Sequence, residues 1–188
     1  MTIGILALQG AFVEHERVLA ALGVRSFEIR SRDQLLKPMD GLILPGGEST
    51  VIGKLLRETD SLCLLRKKIA DGLPVFGTCA GMILLAKELE NGEPPHLQAM
   101  DIRVKRNAYG RQLGSFRKEE NFDGSKIPLV FIRAPHVAEY GKDVRVLSVC
   151  EGKTVAVRQN NCLATAFHPE LTSDTTVHEY FIEEFCRG

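Results

Sequence analysis

Gly77-Thr78-Cys79-Ala80-Gly81 sets a cysteine between two glycines, with the apolar run Pro74-Val75-Phe76 before it and Met82-Ile83-Leu84-Leu85-Ala86 after it. That order predicts a strand, a sharp turn and a helix, the cysteine counterpart of the G-x-S-x-G nucleophile elbow. Flanking glycines allow the tight turn and the close packing of strand against helix. The apex side chain is then held out of the fold at a helix N-terminus, where partial positive charge favours thiolate over thiol. Such a thiolate is placed to attack an electrophilic carbon. The pentapeptide alone also fits a tight turn around a buried, inert cysteine. A base elsewhere in the chain decides between the two.

Of the five histidines, His15, His96, His136, His168 and His178, only His168 stands where an α/β enzyme places a base. It follows the strand-like run Cys162-Leu163-Ala164-Thr165-Ala166 and precedes Pro169-Glu170. Catalytic groups in open α/β sheets gather beyond the carboxyl ends of strands, and Cys79 and His168 both fall just past such ends. Glu170 is close enough in sequence to orient the imidazole, completing a Cys79-His168-Glu170 triad. His-Pro-Glu alone is an ordinary loop; the elbow gives it a role. Acyl transfer also needs an oxyanion hole. The backbone N–H of Ala80 is one donor, and Pro45-Gly46-Gly47-Glu48-Ser49 presents another. A phosphate cradle in that glycine loop is disfavoured, because no G-K-[ST] follows.

Elements must bring these residues together. Ile3 to Leu8 reads as a buried strand, Val13 to Leu22 as a helix capped by Gly23, and Val24 to Ile29 as a second strand. Leu42-Ile43-Leu44 is a short third strand, stopped by Pro45-Gly46-Gly47. Ser49 or Thr50 is expected to cap a helix running to about Arg57, and Leu62, Leu65 and Ile69 mark one face of another. The elbow strand and its helix follow, to about Leu89, before Asn91-Gly92-Glu93-Pro94-Pro95 breaks the chain. Later strands are predicted at Ile102–Val104, Leu129–Ile132, Val144–Val149, Thr154–Arg158 and Cys162–Ala166. Val177, Phe181 and Phe185 form the stripe of a last helix. Alternating strands and helices imply a parallel sheet covered on both faces, with an antiparallel or mixed portion added by the later strands.

The 188 residues suffice for one domain with a sizeable core. Lys+Arg and Asp+Glu both number 24, so no global charge draws the chain to nucleic acid or to an anionic membrane. The start lacks the basic region of a secretory signal, and no apolar run approaches the ~20 residues of a membrane span. Cys63, Cys79, Cys150, Cys162 and Cys186 are odd in number and scattered. That disfavours a disulfide framework or a zinc site and suits a reducing cytoplasm. The four cysteines besides Cys79 are expected to be packing residues. His15 is expected on a helix surface or at a partner contact, and His96, His136 and His178 show no ligand spacing. Arg103, Lys105, Arg106, Arg111, Arg117 and Lys118 form a basic run without an acid among them. A solvated or partner-facing surface explains the run better than nucleic acid, since only Tyr109 and Phe116 could stack.

The elbow with His168-Pro169-Glu170 resembles the class I, triad-type glutamine amidotransferases. Within that family, Leu8-Gln9-Gly10-Ala11-Phe12 with Glu14-His15, Pro45 to Thr50, Arg106-Asn107-Ala108-Tyr109-Gly110-Arg111-Gln112, Phe131 to Pro135 and Phe167 to Thr172 are similar to one branch. That branch comprises the glutaminase subunits of pyridoxal 5'-phosphate synthases. The resemblance runs from Ile3 to the last helix. It implies a three-layer α/β/α fold with a mostly parallel central sheet, and one glutaminase domain over residues 1–188. It implies hydrolysis of L-glutamine to L-glutamate and ammonia through a glutamyl thioester on Cys79. His168 would serve as base and acid, and Glu170 as its orienter. Gly47, Glu48, Ser49, Arg106, Ile132 and Arg133 would hold glutamine, whose α-carboxylate suits a guanidinium. Gly47 and Ala80 would surround the oxyanion. Gln9 would lie near the junction with a synthase (lyase) subunit, which receives the ammonia in a hetero-oligomer for vitamin B6 biosynthesis. Low activity alone and a Gly46-Gly47 peptide that reorients on docking are also implied, with no metal or cofactor in the chain. The alternative is the glutaminase of another synthase, such as imidazole glycerol phosphate synthase. Cysteine hydrolases with histidine directly after the nucleophile are disfavoured by Ala80, and a non-enzymatic scaffold by the intact triad.

Overall fold

Runs of apolar residues without alternation become strands buried on both faces. The computed structural model describes residues 1–106 and 115–187. Its first half runs β1 (Thr2–Leu6), α1 (Phe12–Ala21), β2 (Arg25–Ile29), α2 (Arg32–Leu35), β3 (Gly41–Leu44), α3 (Ser49–Glu58), α4 (Ser61–Ala70), β4 (Val75–Thr78) and α5 (Ala80–Leu85). Then follow β5 (Ala86–Leu89), β6 (Met100–Lys105), β7 (Ser115–Phe122), β8 (Ser125–Ile132), β9 (His136–Tyr140), β10 (Arg145–Cys150), β11 (Lys153–Gln159) and β12 (Cys162–Thr165). A 3-10 turn (Pro169–Leu171), α6 (Thr176–Phe181) and a π-helical turn (Ile182–Cys186) close the described chain.

Strands β2-β1-β3-β4-β12 lie side by side and parallel. Beyond β12 the sheet turns mixed: β11, β9 and β6 pair antiparallel in succession, β5 joins β6 in parallel, and β10 joins β11 antiparallel. β7 and β8 form a separate hairpin. All residues of β3, β4 and β12 are buried, as expected where helices cover both faces of a parallel sheet. The two covers can be read off β4, because successive side chains on a strand point to opposite faces. The Phe76 ring packs on His15 of α1 and on His178 and Phe181 of α6. Its neighbour Gly77 faces α5, where an added Cβ would lie 2.6 Å from the Gly81 carbonyl carbon. The layers are therefore α1 and α6, the sheet, and α5, in agreement with the α/β/α architecture expected.

Several local expectations need correction. The elbow helix ends at Leu85, not near Leu89, because Ala86 turns extended and pairs with Met100 of β6. All six α5 residues are buried, so periodicity offered no polar face to mark its end. Neither Ser49 nor Thr50 caps α3: Glu48 is the N-cap, without a side-chain bond, and Ser49 is the first helical residue. Strands β5, β7 and β9 and the short α2 join those predicted. Cys63 is exposed rather than packed, and Cys186 is only partly buried. His15 is inside the protein, with no exposed surface. The Arg106–Gln112 motif beyond Arg106 lies outside the described residues.

Candidate active site

Four loops at the carboxyl ends of adjacent parallel strands make the site. Gln9 follows β1, the Gly46-Gly47 loop follows β3, Cys79 follows β4 and His168 follows β12. Cys79 is the N-cap of α5, with φ 48° and ψ −98°, a region that L-residues rarely enter. Its thiol is almost buried and lies 3.9 Å from the Ile132 carbonyl oxygen. The turn is possible because Gly81 packs directly under Leu44, whose carbonyl oxygen a Cβ on Gly81 would strike. A Cβ on Gly46 would likewise strike the His168 imidazole, so the glycine loop lies against the base.

His168 Nδ1 and Glu170 Oε1 are 2.7 Å apart, and both side chains are buried. Burial alone would lower the His168 pKa. Hydrogen bonding with Cys79 and Glu170, and their negative charge, outweigh it and raise the pKa to about 10. His168 is therefore an imidazolium at neutral pH. Cysteine, histidine and glutamate thus stand in line, as a nucleophile, base and orienter require.

Cys79 and His168 open on a cavity of about 350 Å³, which Gln9, Gly46, Gly47, Glu48, Ser49, Arg106, Ile132 and Arg133 also line. Every residue expected to hold glutamine thus lines one cavity, while Ala80 and Glu170 sit behind its wall. The Arg106 guanidinium donates to Ser49 Oγ and pairs with Glu93 at 2.9 Å. Gln9 Oε1 accepts from the Glu48 N–H at 2.7 Å, and the Gly46 carbonyl accepts from the Ala11 N–H at 3.0 Å. These two bonds tie the glycine loop to the loop after β1. Arg133, with φ 44°, is a second non-glycine residue of the site with left-handed backbone.

Sequence reasoning missed three groups behind the triad. His15 approaches Glu170 Oε2 at 3.6 Å, His178 lies 2.9 Å from His15, and Thr78 Oγ1 lies 3.3 Å from His15. A signal existed: His15, Val18 and Leu19 are buried together on α1, the i, i+3, i+4 spacing of a core-facing stripe. Glu93, the partner of Arg106, sits in the breaker segment and carried no such signal.

Comparison with known proteins shows the family. The profile of the "SNO glutamine amidotransferase family" matches residues 5–187. The chain belongs to that family. Among its glutamine amidotransferase relatives, the "Pyridoxal 5'-phosphate synthase subunit PdxT" of Streptococcus pneumoniae (strain CGSP14) is 54% identical over 187 residues, 97% of this chain and 96% of that one. The protein of the same name from Carboxydothermus hydrogenoformans is 52% identical over 191 residues, covering 100% of both. A solved "glutamine amidotransferase" superposes with a TM-score of 0.91 at 46% identity, over 96% of this chain and 97% of that one. A glutamine amidotransferase from Thermotoga maritima shares the fold alone, with a TM-score of 0.63 at 14% identity over 98% of this chain and 81% of that one.

Ion pairs also account for four residues of the basic run. Arg103 pairs with Glu139, Lys105 with Glu90 at 2.9 Å, Arg106 with Glu93, and Lys118 with Glu151. Acids from neighbouring strands and turns thus answer cations that looked unopposed along the sequence. Among the described residues no group of His, Cys, Asp and Glu is arranged to hold a metal ion, and no helix is long and apolar enough to cross a membrane.

Proposed function

We propose that this chain hydrolyses L-glutamine to L-glutamate and ammonia and hands the ammonia to a pyridoxal 5'-phosphate synthase subunit for vitamin B6 biosynthesis. The observation that carries the reading is the buried Cys79-His168-Glu170 line opening on a cavity with a guanidinium in its wall. The cavity suits a small polar molecule. Arg106 pairs the α-carboxylate of glutamine, and Glu48, Ser49, Ile132 and Arg133 complete the pocket. Cys79 thiolate attacks the side-chain amide carbon. Negative charge moves to the carbonyl oxygen, to which the N–H groups of Gly47 and Ala80 donate. His168 gives its proton to the amide nitrogen, the C–N bond breaks, and ammonia leaves a glutamyl thioester. Neutral His168 then takes a proton from water, whose oxygen attacks the thioester; glutamate departs and the thiolate–imidazolium pair is restored.

The relatives from Streptococcus pneumoniae and Carboxydothermus hydrogenoformans are subunits of pyridoxal 5'-phosphate synthase, which favours this synthase over the imidazole glycerol phosphate alternative. A partner subunit in a hetero-oligomer follows, with Gln9 beside the junction and the Gly46-Gly47 peptide as the part that responds to docking. The whole chain acts as one cytoplasmic glutaminase domain and needs no cofactor. Glutamate release from glutamine, with and without a pyridoxal 5'-phosphate synthase subunit, tests the reading. Strong activation that Cys79→Ala abolishes is expected. Turnover indifferent to that subunit would move the chain to another synthase, and turnover that survives Cys79→Ala would remove the triad.

A further inference from the structure

The triad does not use the histidine pair behind Glu170, yet that pair is entirely enclosed. His15 comes from α1 and His178 from α6, and neither has exposed surface. Glu170 Oε1 is engaged by His168, whereas Oε2 is buried with no hydrogen-bond partner among the described residues. A buried carboxylate oxygen left without a donor is costly. His15 Nε2 faces it at 3.6 Å and also lies 3.3 Å from Thr78 Oγ1. A closure of about 0.5 Å turns the approach to Glu170 into a hydrogen bond.

Charge fixes the tautomers. A carboxylate only accepts, so His168 and His15 must each turn an N–H toward Glu170. With its proton on Nε2, neutral His15 offers a lone pair at Nδ1, and His178 Nε2–H, 2.9 Å away, donates to it. His178 Nδ1 is then unprotonated, in keeping with its lack of a hydrogen-bond partner among the described residues. Burial, then the neighbouring His178 and His168, hold His15 well below the ordinary histidine range. Burial pushes His178 down to about 4. Both rings are therefore dipoles at neutral pH, and the charge of Glu170 is left to the His168 imidazolium.

We propose that His15 is a positioning residue for the triad: it holds the second oxygen of Glu170 so that the first stays on His168, and His178 fixes the His15 tautomer. This rests on the reading of Cys79, His168 and Glu170 as the glutaminase triad. The titratable groups around His168 are Cys79 beyond β4, Glu170 on its own turn and His15 from α1, with His178 of α6 behind His15; Glu48, Arg106 and Arg133 share its cavity.

The test compares wild type, His15→Phe and His15→Gln, each with the synthase subunit, by glutamate release across pH. Phenylalanine keeps the ring but has no donor. We expect kcat to fall about tenfold with KM for glutamine unchanged, the worth of one hydrogen bond to a charged group. The alkaline limb of the profile should move down by about one pH unit, because a loosened Glu170 withdraws part of what raises His168. Glutamine, with an amide N–H in reach of the same oxygen, should restore most of both. A wild-type profile in His15→Phe would overturn the proposal. So would a rate loss with an unmoved limb that His15→Gln does not restore. Imidazole ¹⁵N NMR of wild type reads the tautomers without any variant, with Nε2–H expected on both His15 and His178 from about pH 6 to 9. A proton on His15 Nδ1 in that range would overturn it even where His15→Phe fails to fold. Absence of Cys79-dependent turnover in wild type would instead sink the triad reading, and the tautomers would still decide the geometry.

Discussion

At Cys79 the backbone carries a load for the sake of the thiol. A φ of 48° with ψ of −98° costs on the order of 1–3 kcal/mol for a residue with a Cβ. Glycine has no such penalty, so Cys79→Gly should gain about 1 kcal/mol of stability while losing glutaminase activity. Cys79→Ala keeps the Cβ and should lose the activity without that gain. Urea unfolding of the two variants beside wild type checks this, and equal stability of all three would show the elbow to be relaxed. The base carries a second consequence. With its pKa raised to about 10 by Cys79 and Glu170 against the effect of burial, His168 stays protonated through neutral pH. It should lose the proton that ammonia needs only near pH 10. The same shift stabilises the fold fully below the ordinary value of 6.5 and is lost as pH rises through about 10. Glu170→Gln removes one raising partner, so the alkaline limb should move toward neutral and kcat should drop. Glutamate release measured from neutral to alkaline pH decides, and an unmoved limb would deny Glu170 its role.

At the scale of elements, the sequence was most legible where one run of residues sufficed. Pro74-Val75-Phe76 before the elbow and Cys162 to Thr165 before His168 announced their strands, and with them the placement of nucleophile and base. Legibility failed where a partner distant in sequence decided. Ala86 to Leu89 continues a helical pattern but is drawn into pairing with β6. Ser49 looks like a cap but accepts from Arg106, 57 residues away. His15 sat on a readable stripe, yet only the fold puts Glu170 opposite it. One local signal went unused: Asp123-Gly124 is the two-residue turn between β7 and β8, with φ 45° and 94°, the sequence pair such hairpins favour. The elbow itself yields a prediction at this scale. A methyl on Gly81 must displace the β3 end that carries the glycine loop, so Gly81→Ala should cost about 1–3 kcal/mol by overpacking. It should also lower activity, because Leu44 and Gly46 move together. Denaturant unfolding and kinetics on one sample test both, and an unaffected stability would mean that α5 and β3 part freely.

At the scale of the molecule, the parallel half of the sheet presents its carboxyl edge, and some of the exposed apolar residues belong to the segments that carry the site there. Of the eight large hydrophobics exposed among the described residues, Ile132 lines the cavity. Val13 and Val51 lie two residues from the cavity-lining Ala11 and Ser49, and Leu171 directly follows Glu170. Exposed apolar side chains on the segments that carry a polar site fit a surface that another molecule covers. Ammonia released from the glutamine amide becomes mostly ammonium once it reaches bulk water at neutral pH, so under the proposed function a covered mouth serves the transfer. Under the proposed function, the synthase subunit is that molecule. Val51→Asp should therefore leave the isolated fold intact and weaken about tenfold the activation by the synthase subunit, since a carboxylate buried at an interface without a partner is costly. Val149→Asp, on β10 and outside the cavity lining, should leave activation unchanged. Glutamate release titrated with synthase subunit separates the two. Equal activation of both variants would place the docking face elsewhere, and an equal loss would mean that charge alone governs the encounter.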